Sequence, residues 1–257
     1  MADANARGRF VWYDLMTNDP KKAEAFYQRV AGWGTQVWDG QQPYTMWTVN
    51  GNPIGGVMEM PKGVNAPPHW IAYLAVPDVD ATVKQAESLG ATTHHKPTDI
   101  PSVGRFAVLA DPQGAFFAVF TPQGNTPGHE GMPNVGEFSW HELATTDYAS
   151  AFRFYQALFG WEKIAEHDMG PMGIYFLFGR NGQQLGGMFN KPPEMPFPPN
   201  WLQYIQVDSA DGAAERVKAN GGQVLNGPMD VPGGDRIAQC LDPQGGAFAV
   251  HSRGKAS

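Results

Sequence analysis

Cysteine is almost missing from this chain. The single thiol, Cys240, excludes an internal disulfide and any zinc site built from several thiolates, and its apolar neighbours mark it as an inert buried thiol rather than a nucleophile. No apolar run of about eighteen residues is present, so no membrane-spanning helix is expected. Met1 to Gly8 carry no apolar core behind a basic start and do not read as a secretory signal. Basic runs are also missing, and with 18 Lys and Arg against 25 Asp and Glu the net charge is −7, which argues against a nucleic-acid surface. A hydrophobic content of 42% with 17% charged residues describes a folded chain. A soluble, cytoplasmic protein without nucleic-acid or membrane partners is expected.

What the chain does have is a repeat. Asp111-Pro112-Gln113-Gly114 precedes the apolar run Ala115 to Phe120, and Asp242-Pro243-Gln244-Gly245 precedes Gly246 to His251. Each tetrapeptide suits a tight turn: proline presets φ, aspartate bonds the backbone two residues on, and glycine takes positive φ. The spacing of 131 also links Gly55-Gly56 to Gly186-Gly187, Trp70 to Trp201, Tyr73 to Tyr204 and Arg105 to Arg236. A repeat of this length means two copies of one domain, here 9–122 and 136–252. The Gly- and Pro-rich segment Gly124 to Val135 divides them.

Each copy divides again. Phe10 to Leu15 reads as a strand, Thr17-Asn18-Asp19-Pro20 as a helix start, and Ala23, Phe26, Tyr27 and Val30 as one helical face closed by Gly32. Phe138 to Leu143, Asp147 and Ala151 to Gly160 repeat that pattern 128 residues later. Two strands and a glycine pair follow in each, the pair suggesting a bend or bulge in the sheet. After the proline-rich connectors Pro61 to Pro68 and Lys191 to Pro199, strand and helix begin again at Trp70 and Trp201. Four modules of strand, helix and three strands result, an α+β architecture.

Phe26-Tyr27 with Gly32-Trp33, Phe154-Tyr155 with Gly160-Trp161, and the closing Asp-Pro-Gln-Gly strands resemble the vicinal-oxygen-chelate superfamily of glyoxalases, bleomycin-resistance proteins and extradiol dioxygenases. The resemblance implies βαβββ modules paired into two curved open-barrel domains, each with a concave face for a small molecule. Metal-dependent members hold an ion with histidine and glutamate on these strands. The matching positions here are Trp12, Ile71 and Ala118, and Trp140, Leu202 and Ala249, none able to ligate a metal. Glu59 or a neighbour, and the region of Asn190, occupy the remaining place. Neither a metal nor another cofactor is therefore expected.

Strand alternation places Phe138, Trp140 and Glu142 in the second cup, matched by Phe10, Trp12 and Asp14 in the first. Tyr73 and Ala75, and Tyr204 and Gln206, face the same way, as does Ala249. Glu142 is the candidate general base, because a carboxylate in an apolar hollow tends toward a raised pKa, and His251 is the second catalytic candidate. Trp12, Tyr73, Trp140, Tyr204, Arg236 and Ala249 are the candidate substrate-binding residues. For Arg236, ligand binding competes with a bridge to Asp230; His141 alternates toward the helices and reads as structural. A small carbonyl or aromatic ligand is expected, handled by a metal-independent lyase or isomerase. A binding or resistance protein without chemistry is the alternative, and a metal-dependent glyoxalase or dioxygenase the weaker third. A monomer or a homodimer satisfies this architecture equally.

Overall fold

The computed structural model describes residues 6–40, 43–61, 63 and 66–254; the reading of Met1 to Gly8 and that of the Pro61 to Pro68 connector lie partly outside them. The first module comprises β1 (Phe10–Thr17), α1 (Pro20–Ala31), β2 (Gly34–Asp39), β3 (Pro43–Val49) and β4 (Asn52–Glu59). The second has β5 (His69–Ala75), α2 (Val79–Ser88), β6 (Thr92–Ile100), β7 (Gly104–Ala110) and β8 (Phe116–Pro122). The third has β9 (Phe138–Thr145), α3 (Tyr148–Phe159), β10 (Glu162–Asp168), β11 (Ile174–Arg180) and β12 (Gln183–Asn190). The fourth has β13 (Asn200–Gln206), α4 (Ala210–Ala219), β14 (Gln223–Asp230), β15 (Arg236–Leu241) and β16 (Ala247–Ser252).

The helix boundaries follow from local chemistry. Asp19 accepts from the Lys22 N–H at 3.1 Å ahead of Pro20, and Asp147 accepts from the Ser150 N–H at 3.1 Å, so each satisfies a donor left over at a helix start. Gly32 and Gly160 close α1 and α3 at φ of 73° and 71°, a left-handed conformation that glycine adopts without strain. Ala23, Phe26, Tyr27 and Val30 form the buried face of α1, as their spacing predicts.

The strands form two open eight-stranded sheets, ordered β2-β3-β4-β1-β5-β8-β7-β6 and β10-β11-β12-β9-β13-β16-β15-β14. Within each module the first and last strands pair in parallel and the others join as antiparallel hairpins. This is the α+β arrangement of four βαβββ modules. In β3–β4 and β11–β12 the register shifts beside Gly55 and Gly186, so the glycine pairs do mark irregularities.

Backbone proximity groups the modules differently from chain order. One compact unit combines Ile71–His129 with His141–Trp201 and the segment ending at Trp12; the other combines Tyr13–Trp70 with Glu130–Trp140 and Leu202–Ser257. In the first unit Trp201 Nε1 donates to the Tyr155 hydroxyl at 3.0 Å, which donates to Asp111 at 2.9 Å. In the second, Trp70 donates to Tyr27 at 3.0 Å and Tyr27 to Asp242 at 3.2 Å. Burial, with the neighbouring carboxylates Asp111 and Asp242, holds both tyrosine hydroxyls well above their ordinary pKa, so they remain donors. The repeated glutamines complete each junction. Gln113 Oε1 accepts from the Thr145 hydroxyl at 2.6 Å and from the Thr146 and Asp147 N–H groups at 2.9 and 2.7 Å. Gln244 brackets Asp19, accepting from its N–H at 2.7 Å and donating to its carbonyl at 2.9 Å. Asp-Pro-Gln-Gly is therefore both a turn and the means by which one module grips the start of another module's helix.

Candidate functional site

The glycine pairs seat a tyrosine against an acid. In the unit that contains His141–Trp201, Glu142 pairs in register with Gly187, and Tyr175 on β11 reaches across to donate its hydroxyl to Glu142 Oε2 at 2.8 Å. A Cβ on Gly187 would land inside the Tyr175 ring, and one on Gly186 would collide with the His141 carbonyl oxygen. Only glycine lets the ring lie flat on the strand and the backbone approach so closely. The other unit repeats the arrangement: Asp14 pairs with Gly56, Tyr44 lies over Gly56, and the Tyr44 hydroxyl bonds Asp14. Glu142 is buried, at 9% exposure. Tyr44 and Tyr175 stand 131 residues apart, within the same repeat, but spacing alone does not show that each lies over a glycine and bonds an acid on another strand.

A second polar group lies on the fourth module. Ala249 sits between Tyr204 on β13 and Gln239 on β15, and Gln239 donates across it to the Tyr204 hydroxyl at 3.0 Å. His251, on the same strand as Ala249, bonds Ser139 through Nδ1 at 2.9 Å and Asp235 through Nε2 at 2.8 Å. Its side chain is 13% exposed, so it is not the freely solvated terminal histidine its position near the chain end allowed. On the second module Tyr73 pairs with Ala118, both buried, and its ring lies 6.1 Å from Phe106. Trp12 and Trp140 are half-buried.

Three expectations change. Phe138 and Phe10 leave the face that alternation assigns them. Phe138 stacks on Tyr13 at 3.8 Å and meets Trp33 and Trp70, while Phe10 stacks on His141 at 3.6 Å and meets Trp161 and Trp201. Each follows a glycine bulge that interrupts the alternation: Gly8 and Arg9 both bond the Ala75 backbone, Gly136 and Glu137 both bond the Gln206 backbone, and Gly8 and Gly136 sit at φ of 79° and 94°. Arg236, expected to bind substrate, is committed to protein: it forks onto Asp211 at 2.7 and 3.1 Å and bonds Asp230 at 2.8 Å. Arg105 does the same with Asp80 and Asp99, so the repeated arginine ties a helix start to a hairpin. The glycine pair, read as a bend, is also a ring seat.

His141 is structural. Its Nδ1 bonds the Leu185 carbonyl at 2.9 Å, and burial lowers its pKa to about 3. Burial raises the Cys240 thiol to about 12, which removes it as a nucleophile. A solvent-open cleft of about 340 Å³ is lined in part by Arg29, Asn50, Asp208 and Arg216, none of them a predicted site residue. The residues do not fit a metal. Among those described, no group of three or more His, Cys, Asp or Glu side chains is placed to hold an ion, and the strand positions that would supply ligands carry Trp, Ile, Leu and Ala.

Four βαβββ modules in two open sheets define a glyoxalase-type fold. The chain belongs to the Glyoxalase/Bleomycin resistance protein/Dioxygenase superfamily, whose description matches residues 137–250, while residues 11–120 match the family described as Glyoxalase-like domain. It is 33% identical over 244 residues to "Putative glyoxylase CFP32" of Mycobacterium tuberculosis, covering 93% of this chain and 92% of that one. It is 32% identical over 261 residues to the anthracycline biosynthesis protein DnrV of Streptomyces peucetius, covering 95% and 93%. The Mn(II)-bound glyoxalase from Novosphingobium aromaticivorans superposes with a TM-score of 0.64 at 17% identity, over 98% of this chain and 83% of that one. The 2,2',3-trihydroxybiphenyl 1,2-dioxygenase of Sphingomonas wittichii gives 0.68 at 13%, over 97% and 91%. At these identities the two structures speak for the fold.

Proposed function

We propose that the chain binds a small carbonyl or aromatic compound and acts on it as a metal-independent lyase or isomerase, with Glu142 as general base. The observation that carries this reading is the buried Glu142 carboxylate, oriented by the Tyr175 hydroxyl at 2.8 Å. A base held this way takes a proton from carbon next to a carbonyl and returns it to the neighbouring atom, so an isomerisation balances without a redox partner. The fixed tyrosine holds the plane of the carboxylate through both steps. His251, the second proposed catalytic residue, is oriented by Asp235. Trp12 and Tyr73 in one unit, and Trp140, Tyr204 and Ala249 in the other, remain proposed ligand-binding residues, each set supplying flat apolar area and space. Arg236 is withdrawn from it. The name of DnrV, an anthracycline biosynthesis protein, supports an aromatic ligand, and that of CFP32 supports carbonyl chemistry. The reading is of a cytoplasmic protein working as a monomer or homodimer; among the described residues no helix is long and apolar enough to cross a membrane.

The second reading, a binder without turnover, is favoured by the apolar side chains at the family's ligand positions. Proton NMR in deuterated buffer separates the two. With a panel of small α-hydroxycarbonyl and aromatic carbonyl compounds, the wild type is expected to exchange the α-proton of at least one compound that it binds. Glu142→Gln should slow that exchange about 10²- to 10⁴-fold with little change in Kd. Binding with no exchange by the wild type would establish the binder; full exchange by Glu142→Gln would remove the base.

A further inference from the structure

The fourth module carries polar side chains where the equivalent positions of the first half are apolar or lack a side chain. Gln206, Asp235, Gln239 and His251 correspond to Ala75, Gly104, Val108 and Phe120, and Ser139 corresponds to Val11. The same strand arrangement forms in the first half without them, so the sheet does not require these groups.

Three of them form a hydrogen-bonded line. Ser139 Oγ lies 2.9 Å from His251 Nδ1, and His251 Nε2 lies 2.8 Å from Asp235 Oδ2, while Asp235 Oδ1 accepts from the Gly254 N–H at 2.9 Å. Burial opposes ionisation of Asp235, but the Gly254 N–H and the His251 ring outweigh it and hold its carboxyl below the usual range. An ionised carboxylate only accepts, so a neutral imidazole keeps its proton on Nε2 and turns the lone pair of Nδ1 to the Ser139 hydroxyl. The Tyr204 carbonyl, at 3.4 Å from Ser139 Oγ, competes weakly for that proton. This is the hydroxyl, imidazole and carboxylate order of acyl-transfer enzymes, with the two ring nitrogens exchanged. A separate observation points to a ligand. Gln206 is in register with His251 on the adjoining strand and is 4% exposed, and among the described residues its Oε1 has no hydrogen-bond partner. A buried acceptor left unmet costs about 1–3 kcal/mol, and an O–H or N–H on a bound molecule would satisfy it.

We propose that Ser139, His251 and Asp235 form an acyl-accepting site for a small activated ester or thioester, using neither Glu142 nor Tyr175. Ser139 Oγ bonds to the acyl carbon, and the ester C–O or thioester C–S bond breaks. The hydroxyl proton passes to His251 Nδ1 and then to the leaving oxygen or sulfur. Water, deprotonated by the same imidazole, cleaves the acyl-serine and restores the hydroxyl. No oxidant, reductant or cofactor enters.

The test uses the full chain and 4-nitrophenyl acetate. The wild type should release a burst of 4-nitrophenolate and, after acid quench, carry one acetyl group on the peptide containing Ser139. Ser139→Val, which installs the residue of the first half, and Ser139→Ala should both lose burst and acetyl group with circular dichroism unchanged. His251→Gln and Asp235→Asn should slow acylation about tenfold or more, and His251→Gln should flatten its pH profile. The proposal falls if folded wild type carries no acetyl group on Ser139, if either serine variant keeps the burst, or if His251→Gln acylates at the wild-type rate. Deuterium exchange reads Glu142 and acetylation reads Ser139, so either assignment can fail alone.

Discussion

Gln203 on β13 is 1% exposed, and among the described residues neither its amide nitrogen nor its oxygen has a hydrogen-bond partner, whereas the equivalent residue of the first half is Ala72. Leaving such a group buried costs about 1–3 kcal/mol, and an unbranched apolar chain of similar volume carries no such penalty. Gln203→Met is therefore expected to stabilise the protein by that amount, read as a higher urea midpoint at constant slope. A lower midpoint would show that the amide is satisfied. His141 makes the complementary case, a buried group whose cost depends on pH. Its pKa is about 3 in the folded chain against 6.5 for the free ring, so between those values the unfolded chain binds more protons than the folded one. The stability it preserves is complete above about pH 6.5 and is lost as pH falls toward 3, at about 1.4 kcal/mol per pH unit. Denaturation curves at pH 7 and 4.5 should converge for His141→Leu relative to wild type. Parallel loss in both proteins would place the acid sensitivity elsewhere.

At the scale of strands and helices, the elements most legible in the sequence were those set by neighbours. Asp19, Asp147, Gly32 and Gly160 signal the ends of α1 and α3 because caps depend on a few adjacent residues. The faces of β1 and β9 were legible only in part, because a glycine bulge just ahead of each, at Gly8 and Gly136, shifts the alternation. The acid, glycine and tyrosine grouping escaped because it joins three strands through a side chain. Its internal logic predicts coupling. Gly187→Ala should push the Tyr175 ring off the strand and break its bond to Glu142, while Tyr175→Phe keeps the ring and deletes only the hydroxyl. Each is expected to cost about 1–3 kcal/mol, and the double variant should cost less than the sum, because both remove the same hydrogen bond. Additive losses in a double-mutant cycle would mean that glycine and hydroxyl act independently.

For the molecule as a whole, four modules in sequence order could be read from the repeat, but their packing partners could not. Chain order suggests the first module with the second and the third with the fourth, and the hydrogen-bonded sheets follow that order. The compact units instead pair the second with the third and the first with the fourth. The groups responsible are Gln113 with Asp147, 34 residues apart, and Gln244 with Asp19, 225 apart, a separation no local pattern reports. The two glutamines predict unequal consequences. Gln113 Oε1 serves both hydroxyls of Thr145 and Thr146 and two backbone N–H groups, and its Nε2 donates to the Asp147 carbonyl at 2.8 Å. Among the described residues the Gln244 side chain makes two bonds, both to the Asp19 backbone. Truncation leaves those partners to find water at a half-exposed surface, so Gln113→Ala should cost about 2–4 kcal/mol and Gln244→Ala about 1–2. Gln113→Glu, which keeps the acceptor and loses the donor, should fall between wild type and Gln113→Ala. Asp111 and Asp242, behind the same turns, have carboxyl pKa values raised by burial against their hydrogen bonds. In the window between the ordinary carboxylate pKa and those raised values the folded chain binds more protons, so their contribution to stability falls as pH rises through it. The glutamine comparison belongs at pH 7, above the ordinary carboxylate range, where urea midpoints ranking Gln244→Ala below Gln113→Ala would contradict the junction as described.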